Sequence, residues 1–277
     1  MLKELFNEGT AATVTTVVEA PKSMSITFQI FLWMSVVFII SLSLPQLFKL
    51  IKEKRTGNVS FLSFWIFHIG ILLWVIWGAT NQLGLGMLNV MIADGISLYV
   101  NGIMTILLYY HKKEFTVKQK VAGYVGVGLT WVLGAMFIAF YCVDMAAYSQ
   151  LSEAAQKTFK GTFQVAAGAS TAMGFIFPAF TTLAFTPQLI QSFKTNEWQG
   201  VTYWMYVLYV VNNIIWIVWW GLGMGLESYK ATPNYGSLIA GMVWQVISLT
   251  IFSIQLGFTL YDKALLKKGV DRTKKAA

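Results

Sequence analysis

Of 277 residues, 56% are apolar and 16% aromatic, and only 12% are charged. A soluble chain carries about 25% charge, so a solvated globule is excluded, and the +8 net charge forms no nucleic-acid patch because basic residues are scattered between long apolar runs. One cysteine, Cys142, and two histidines leave no disulfide framework and no thiolate or imidazole metal set. No serine–histidine or paired-carboxylate constellation points to an enzyme, and no cofactor is expected.

The first 24 residues, with Asn7, Glu8 and Pro21, lack the contiguous apolar core of a signal peptide. They read as a non-spanning head with an interfacial turn at 2–6. An apolar helix needs about 20 residues to cross the hydrocarbon core. Seven stretches qualify: 26–48, 60–79, 88–110, 121–143, 162–186, 202–222 and 236–261. Barrel strands are shorter and alternate, whereas helices satisfy their own backbone in lipid. The expected class is an all-α integral membrane protein of seven spans. Lys and Arg distribute as 15 on the side of the first, third and fifth loops and the tail, against 5 on the other. Positive charge collects on the cytoplasmic side. The head is therefore expected outside and the tail inside, in a plasma membrane rather than an organelle. Gly123, Gly126 and Gly128 in the fourth span read as small residues for close packing.

Self-comparison reveals a duplication. Pro45-Gln46-Leu47 recurs as Pro187-Gln188-Leu189, and at the same shift of 142 Lys52 meets Lys194, Val59 Val201, Trp74 Trp216 and Trp77 Trp219. Farther on, the shift becomes 151, where Ile96-Ser97-Leu98 meets Ile247-Ser248-Leu249 and Tyr110 meets Tyr261. Each repeat is three spans, giving a 3 + 1 + 3 plan. An odd linker span makes the repeats parallel, related by an axis along the membrane normal, with a site expected near mid-membrane on that axis. The expected divisions are a head at 1–24, a first triple-helix repeat at 25–115, a linker helix and loop at 116–160, a second repeat at 161–264 and a basic tail at 265–277.

Two Pro-Gln pairs, each at the cytoplasmic end of the first helix of a triplet and each followed by Lys and Val-Ser or Val-Thr, resemble the PQ-loop superfamily. Its members include the SWEET and SemiSWEET sugar transporters and the lysosomal cystine and cationic-amino-acid exporters. Proline removes a backbone hydrogen bond and kinks its helix. The resemblance implies that Pro45-Gln46 and Pro187-Gln188 are hinges on which each bundle rocks. It also aligns Trp74-Val-Ile-Trp77-Gly78 and Trp216-Ile-Val-Trp219 with the family's Trp-x-x-Tyr-Gly, so Trp77 and Trp219 would be the outer gate, with belt tryptophans as the alternative. Trp74 and Trp216 would line the pocket. The family's pocket Asn falls on Asp94 in one repeat and Gln245 in the other. Trp74 and Asp94 both lie roughly 8–9 Å below the outer surface at 1.5 Å per residue. Gly70 and Asn212, four residues before each Trp, share its helix face. Asn213 is an alternative to Asn212, and Asn101 would extend a polar track below Asp94. His68, two positions off the Gly70/Trp74 face, reads as a packing residue.

Asp94 is the one acid within the seven predicted spans, and such residues face cavities and do work. The leading expectation is a SWEET-like, alternating-access facilitator of a small neutral solute, a mono- or disaccharide. The alternative is proton-coupled transport of an amino acid with Asp94 as the proton carrier. A cargo receptor of the early secretory pathway, which shares the helix plan, ranks behind both. The expected partners are the solute and the bilayer; homo-oligomerisation stays open.

Overall fold

The structure is a computed structural model that describes residues 19–81, 85–156, 158–229 and 235–272. The head through residue 18, including the expected turn at 2–6, and the tail beyond 272 lie outside the described residues. In chain order the helices are α1 (Lys22–Ser41), α2 (Leu44–Glu53), α3 (Phe61–Thr80), α4 (Leu85–His111) and α5 (Val117–Ser149). They continue with α6 (Glu153–Gln156), α7 (Ala167–Leu183), α8 (Thr186–Thr195), α9 (Tyr203–Glu227) and α10 (Gly236–Lys267). Among the described residues there is no strand, and seven units are long and apolar enough to cross a membrane. The chain is an all-α, multi-pass integral membrane protein.

Two of the seven units are broken helices, and each break precedes a Pro-Gln pair. Proline is tolerated in a first helical turn, where its missing N–H has no intrahelical partner to lose. Pro45 and Pro187 sit there, in α2 and α8. Each short helix runs for 10 residues and stops at a left-handed residue, Lys54 (φ 50°) or Asn196 (φ 52°), which are 142 positions apart. The duplication thus extends to backbone conformation. Elsewhere local chemistry sets the starts. Thr116 Oγ1 accepts from Gln119 N while Gln119 Oε1 accepts from Thr116 N, a capping box that opens α5.

Packing follows the 3 + 1 + 3 plan. In the first half α4 packs against both α1 and α3; in the second, α10 packs against both α7 and α9. Between halves the contacts are α1 with α9 and α3 with α7, the pairing that a two-fold pseudo-axis requires. Helix α5 packs on α3 and α4, on the first half. A Cβ at Gly123 would meet the Tyr109 ring at 2.7 Å and one at Gly126 the Trp65 ring at 2.8 Å, so two of the three expected small residues permit that approach. Gly128 meets nothing within 4 Å. The opposite face of α5 exposes Val121, Val125, Leu129 and Val132 at helical spacing, an apolar stripe suited to lipid.

The helices outrun the apolar windows seen in the sequence, because their polar end turns stay helical. Two further acids are consequently helical and buried beside Asp94. Asp144 in α5 accepts from Thr162 N and Oγ1, each at 2.7 Å, and Asp262 in α10 accepts from Gln199 Nε2 at 2.9 Å. Asp94 is therefore not the one buried helical acid that the shorter windows suggested.

Candidate binding cavity

A cavity of about 90 Å³ lies between the halves, bounded by α1, α3, α4, α7, α9 and α10. One water needs roughly 10–15 Å³ of such space, so the cavity admits several waters or a small solute. Of the residues expected to bind, Trp74, Asp94, Asn212, Asn213, Trp216 and Gln245 line it. The structure brings these six together from four helices. Trp220 joins Trp216, with ring centroids 6.0 Å apart and planes at 32°.

Gly70 and Asn101 do not line the cavity. Gly70 lies where α3 meets α7: a Cβ there would stand 2.8 Å from Thr181 Cγ2. Its lack of a side chain lets the halves touch. Asn101 is fully buried lower in the first half, where its Nδ2 donates to Ser43 Oγ at 3.0 Å. His68 Nδ1 lies 2.9 Å from Asn101 Oδ1, and His68 Nε2 lies 2.7 Å from Thr130 Oγ1. This polar chain links the linker helix α5 to the break between α1 and α2.

Trp77 and Trp219 stand off the cavity and bridge the halves. Trp77 Nε1 donates to Ser170 O at 2.9 Å, and Trp219 stacks on Phe28 at 4.8 Å. Ser170 and Phe28 are again 142 positions apart. Each tryptophan therefore reaches the first helix of the other repeat at equivalent places. Below the cavity, Phe67 and Tyr209, also a repeat pair, meet edge to face at 5.5 Å. Phe185 packs on both, and Phe252 stacks on Tyr209 at 4.1 Å. These aromatics form a floor.

At the Pro-Gln end the two glutamines clamp the halves reciprocally. Gln46 Oε1 accepts from Thr202 N at 2.9 Å and its Nε2 donates to Gly200 O at 3.4 Å. Gln188 Oε1 accepts from Ser60 N at 2.6 Å and its Nε2 donates to Asn58 O at 3.3 Å. Thr202 and Ser60 are the N-caps of α9 and α3. Each glutamine thus satisfies an N–H and a C=O at the start of the second helix in the opposite repeat. A Cβ on Gly200 would overlap Asn58 O, so only glycine permits the two loops to meet this closely. Lys49 Nζ donates to Gln199 O and Gly200 O over the same junction.

Sequence reasoning did not find Asn89, Tyr209, Trp220 or Ser248 in the cavity lining. Tyr209 carries a usable signal, since it repeats Phe67 at the same shift. Asn89 carries none. No motif marks Gly200, and although Thr202 belongs to the repeated Val-Ser/Val-Thr pattern, nothing in the sequence shows that it meets Gln46. Among the described residues no three His, Cys, Asp or Glu side chains group as a metal site.

Fold and cavity together define a seven-span, duplicated helical membrane protein with a central cavity between its halves. The chain matches no family model and no curated protein.

Proposed function

We propose that this chain is an alternating-access transporter of a small polar solute, of the PQ-loop, SWEET-like type, and not an enzyme. The observation that carries the reading is the reciprocal glutamine clamp at one end of a cavity centred between two parallel repeats. Four hydrogen bonds, each contributing about 1 kcal/mol net, make a junction firm enough to close one side and weak enough to open. Broken helices next to the clamps supply the pivots. At the other end Trp77 and Trp219 bridge the halves through a shared hydrogen bond to Ser170 O and Oγ and one stack, a contact that can part independently.

A sugar is the solute that the resemblance implies. The Trp74, Trp216 and Trp220 rings give it apolar faces, and Asn89, Asn212 and Gln245 give it hydrogen-bonding groups. An amino acid is less well served: among the described residues no Lys, Arg or His lines the cavity, so its carboxylate finds no counter-charge. The reading puts the Pro-Gln end at the cytoplasm and the protein in the plasma membrane.

Uptake of monosaccharides, disaccharides and amino acids into proteoliposomes, with and without a pH gradient, tests it. Gradient-independent sugar flux is expected. Trp74→Ala and Trp216→Ala should each lower that flux by about tenfold, as expected for loss of a 1–2 kcal/mol ring contact, while the protein stays monodisperse in detergent. Normal flux in both variants would remove these tryptophans from the site, and accumulation driven by a pH gradient would replace the facilitator with a coupled carrier.

A further inference from the structure

Asp94 is what a neutral sugar leaves unanswered. Three carboxylates are buried within helices among the described residues, and two of them are held: Asp144 by Thr162, Asp262 by Gln199. Asp94 is also buried, lines the cavity, and has neither a hydrogen bond nor an ion pair among the described residues. Among the described residues no cationic side chain lines the cavity to offset it. A carboxylate at membrane depth without a counter-charge is costly, and an opposite charge with donor hydrogens relieves that cost.

The rest of the lining points to the same occupant. The side-chain oxygens of Asn89 and Asn212 are buried without a donor. Tryptophan faces attract cations through the ring quadrupole as readily as they pack against C–H groups. What completes this set is a body with apolar ring faces, several O–H donors and one positive charge.

Resting on the carrier reading above, we propose that the solute is an amino sugar of the hexosamine class. Its ammonium pairs with Asp94, its hydroxyls donate to Asn89 and Asn212, and its ring packs between tryptophans. The exchange of the family's usual Asn for Asp at position 94 is then a change of substrate charge within a sugar site.

Binding to the purified, detergent-solubilised protein tests this by calorimetry with glucosamine, glucose and N-acetylglucosamine at slightly acid pH, where the free amine is protonated. The three share a ring, and only the first is a cation. Glucosamine should bind roughly tenfold or more tightly than the other two, the gain expected of a charge-assisted hydrogen bond. Asp94→Asn should erase the difference. The wild-type comparison needs no variant, so an Asp94→Asn protein that fails to fold does not rescue the proposal. Equal binding of glucose and glucosamine, binding of none of the three, or a preference that survives Asp94→Asn would overturn it. Because binding needs no turnover, a glucosamine preference without flux in vesicles would remove the carrier reading alone. Glucose flux without the preference would remove this inference alone.

Discussion

A glutamine amide carries a donor and an acceptor on one rigid plane, which is what the open end of a helix presents in reverse: an unpaired N–H beside a carbonyl. Gln46 and Gln188 use both functions at once, and a glutamate at either position would keep the acceptor and lose the donor. Gln188→Ala leaves Ser60 N–H buried without its acceptor, a loss of about 1–3 kcal/mol. In a Cys142→Ser background, a cysteine replacing the buried Val59 should react with maleimide faster when Gln188 is alanine. Gly200→Ala should have the same effect, because the added methyl would overlap the Asn58 carbonyl. Unchanged labelling in both would mean that the clamp does not hold this end shut. The Pro-Gln pairs were legible in the sequence because they recur in register. Their partners were not: Thr202 lies 156 positions from Gln46, and a threonine or serine before an apolar run looks like any other helix start.

The two broken helices share an outline and differ in what surrounds the break. Ser43 at the first break is tied through Asn101 and His68 to Thr130 of α5. At the equivalent place in the second half stands Phe185, and the counterpart of Asn101 is Phe252, both inside the aromatic floor. One break is thus held by a directional polar chain and the other by non-directional packing. Asn101→Ala strands His68 and Ser43 and should lower detergent stability by about 1–3 kcal/mol. Phe252→Ala opens a cavity under Tyr209 and should cost about 3–5 kcal/mol. Thermal unfolding of the two variants measures the contrast; equal losses would contradict the assigned difference. The seven spans, the duplicated break and the small residues of α5 were readable from hydropathy, proline and glycine. The helix ends were not, since polar end turns remain helical past the apolar windows and so brought Asp144 and Asp262 into helices. Nor was the contrast between the two breaks, because aligned positions 43 and 185 differ in identity and the sequence does not say what each touches.

For the molecule as a whole, the first triplet carries α5 and the second carries no counterpart, so the two halves differ in bulk while their shared junction stays symmetric. The charge count predicts an orientation for this assembly. Single cysteines at positions 10 and 270, again with Cys142 replaced, should label from outside and inside respectively with an impermeant maleimide; both on one side would overturn the seven-span topology. Composition and repeat were enough to read the architecture. The cavity lining was read in part, because helical spacing marks a face but not which neighbour closes over it, as Gly70 and Asn101 illustrate. The crossed glutamine bonds have a consequence for how the two copies can diverge. Since Gln46 answers to residues 200 and 202, and Gln188 to residues 58 and 60, neither copy holds its own counterpart. A change at one glutamine is compensated only in the other copy, so drift within a repeat is policed by its twin. Two copies of the second half, each with glycine at position 200, would have the room to make the same bonds with each other, and the fused chain therefore retains the grammar of a homodimer, written twice in one reading frame.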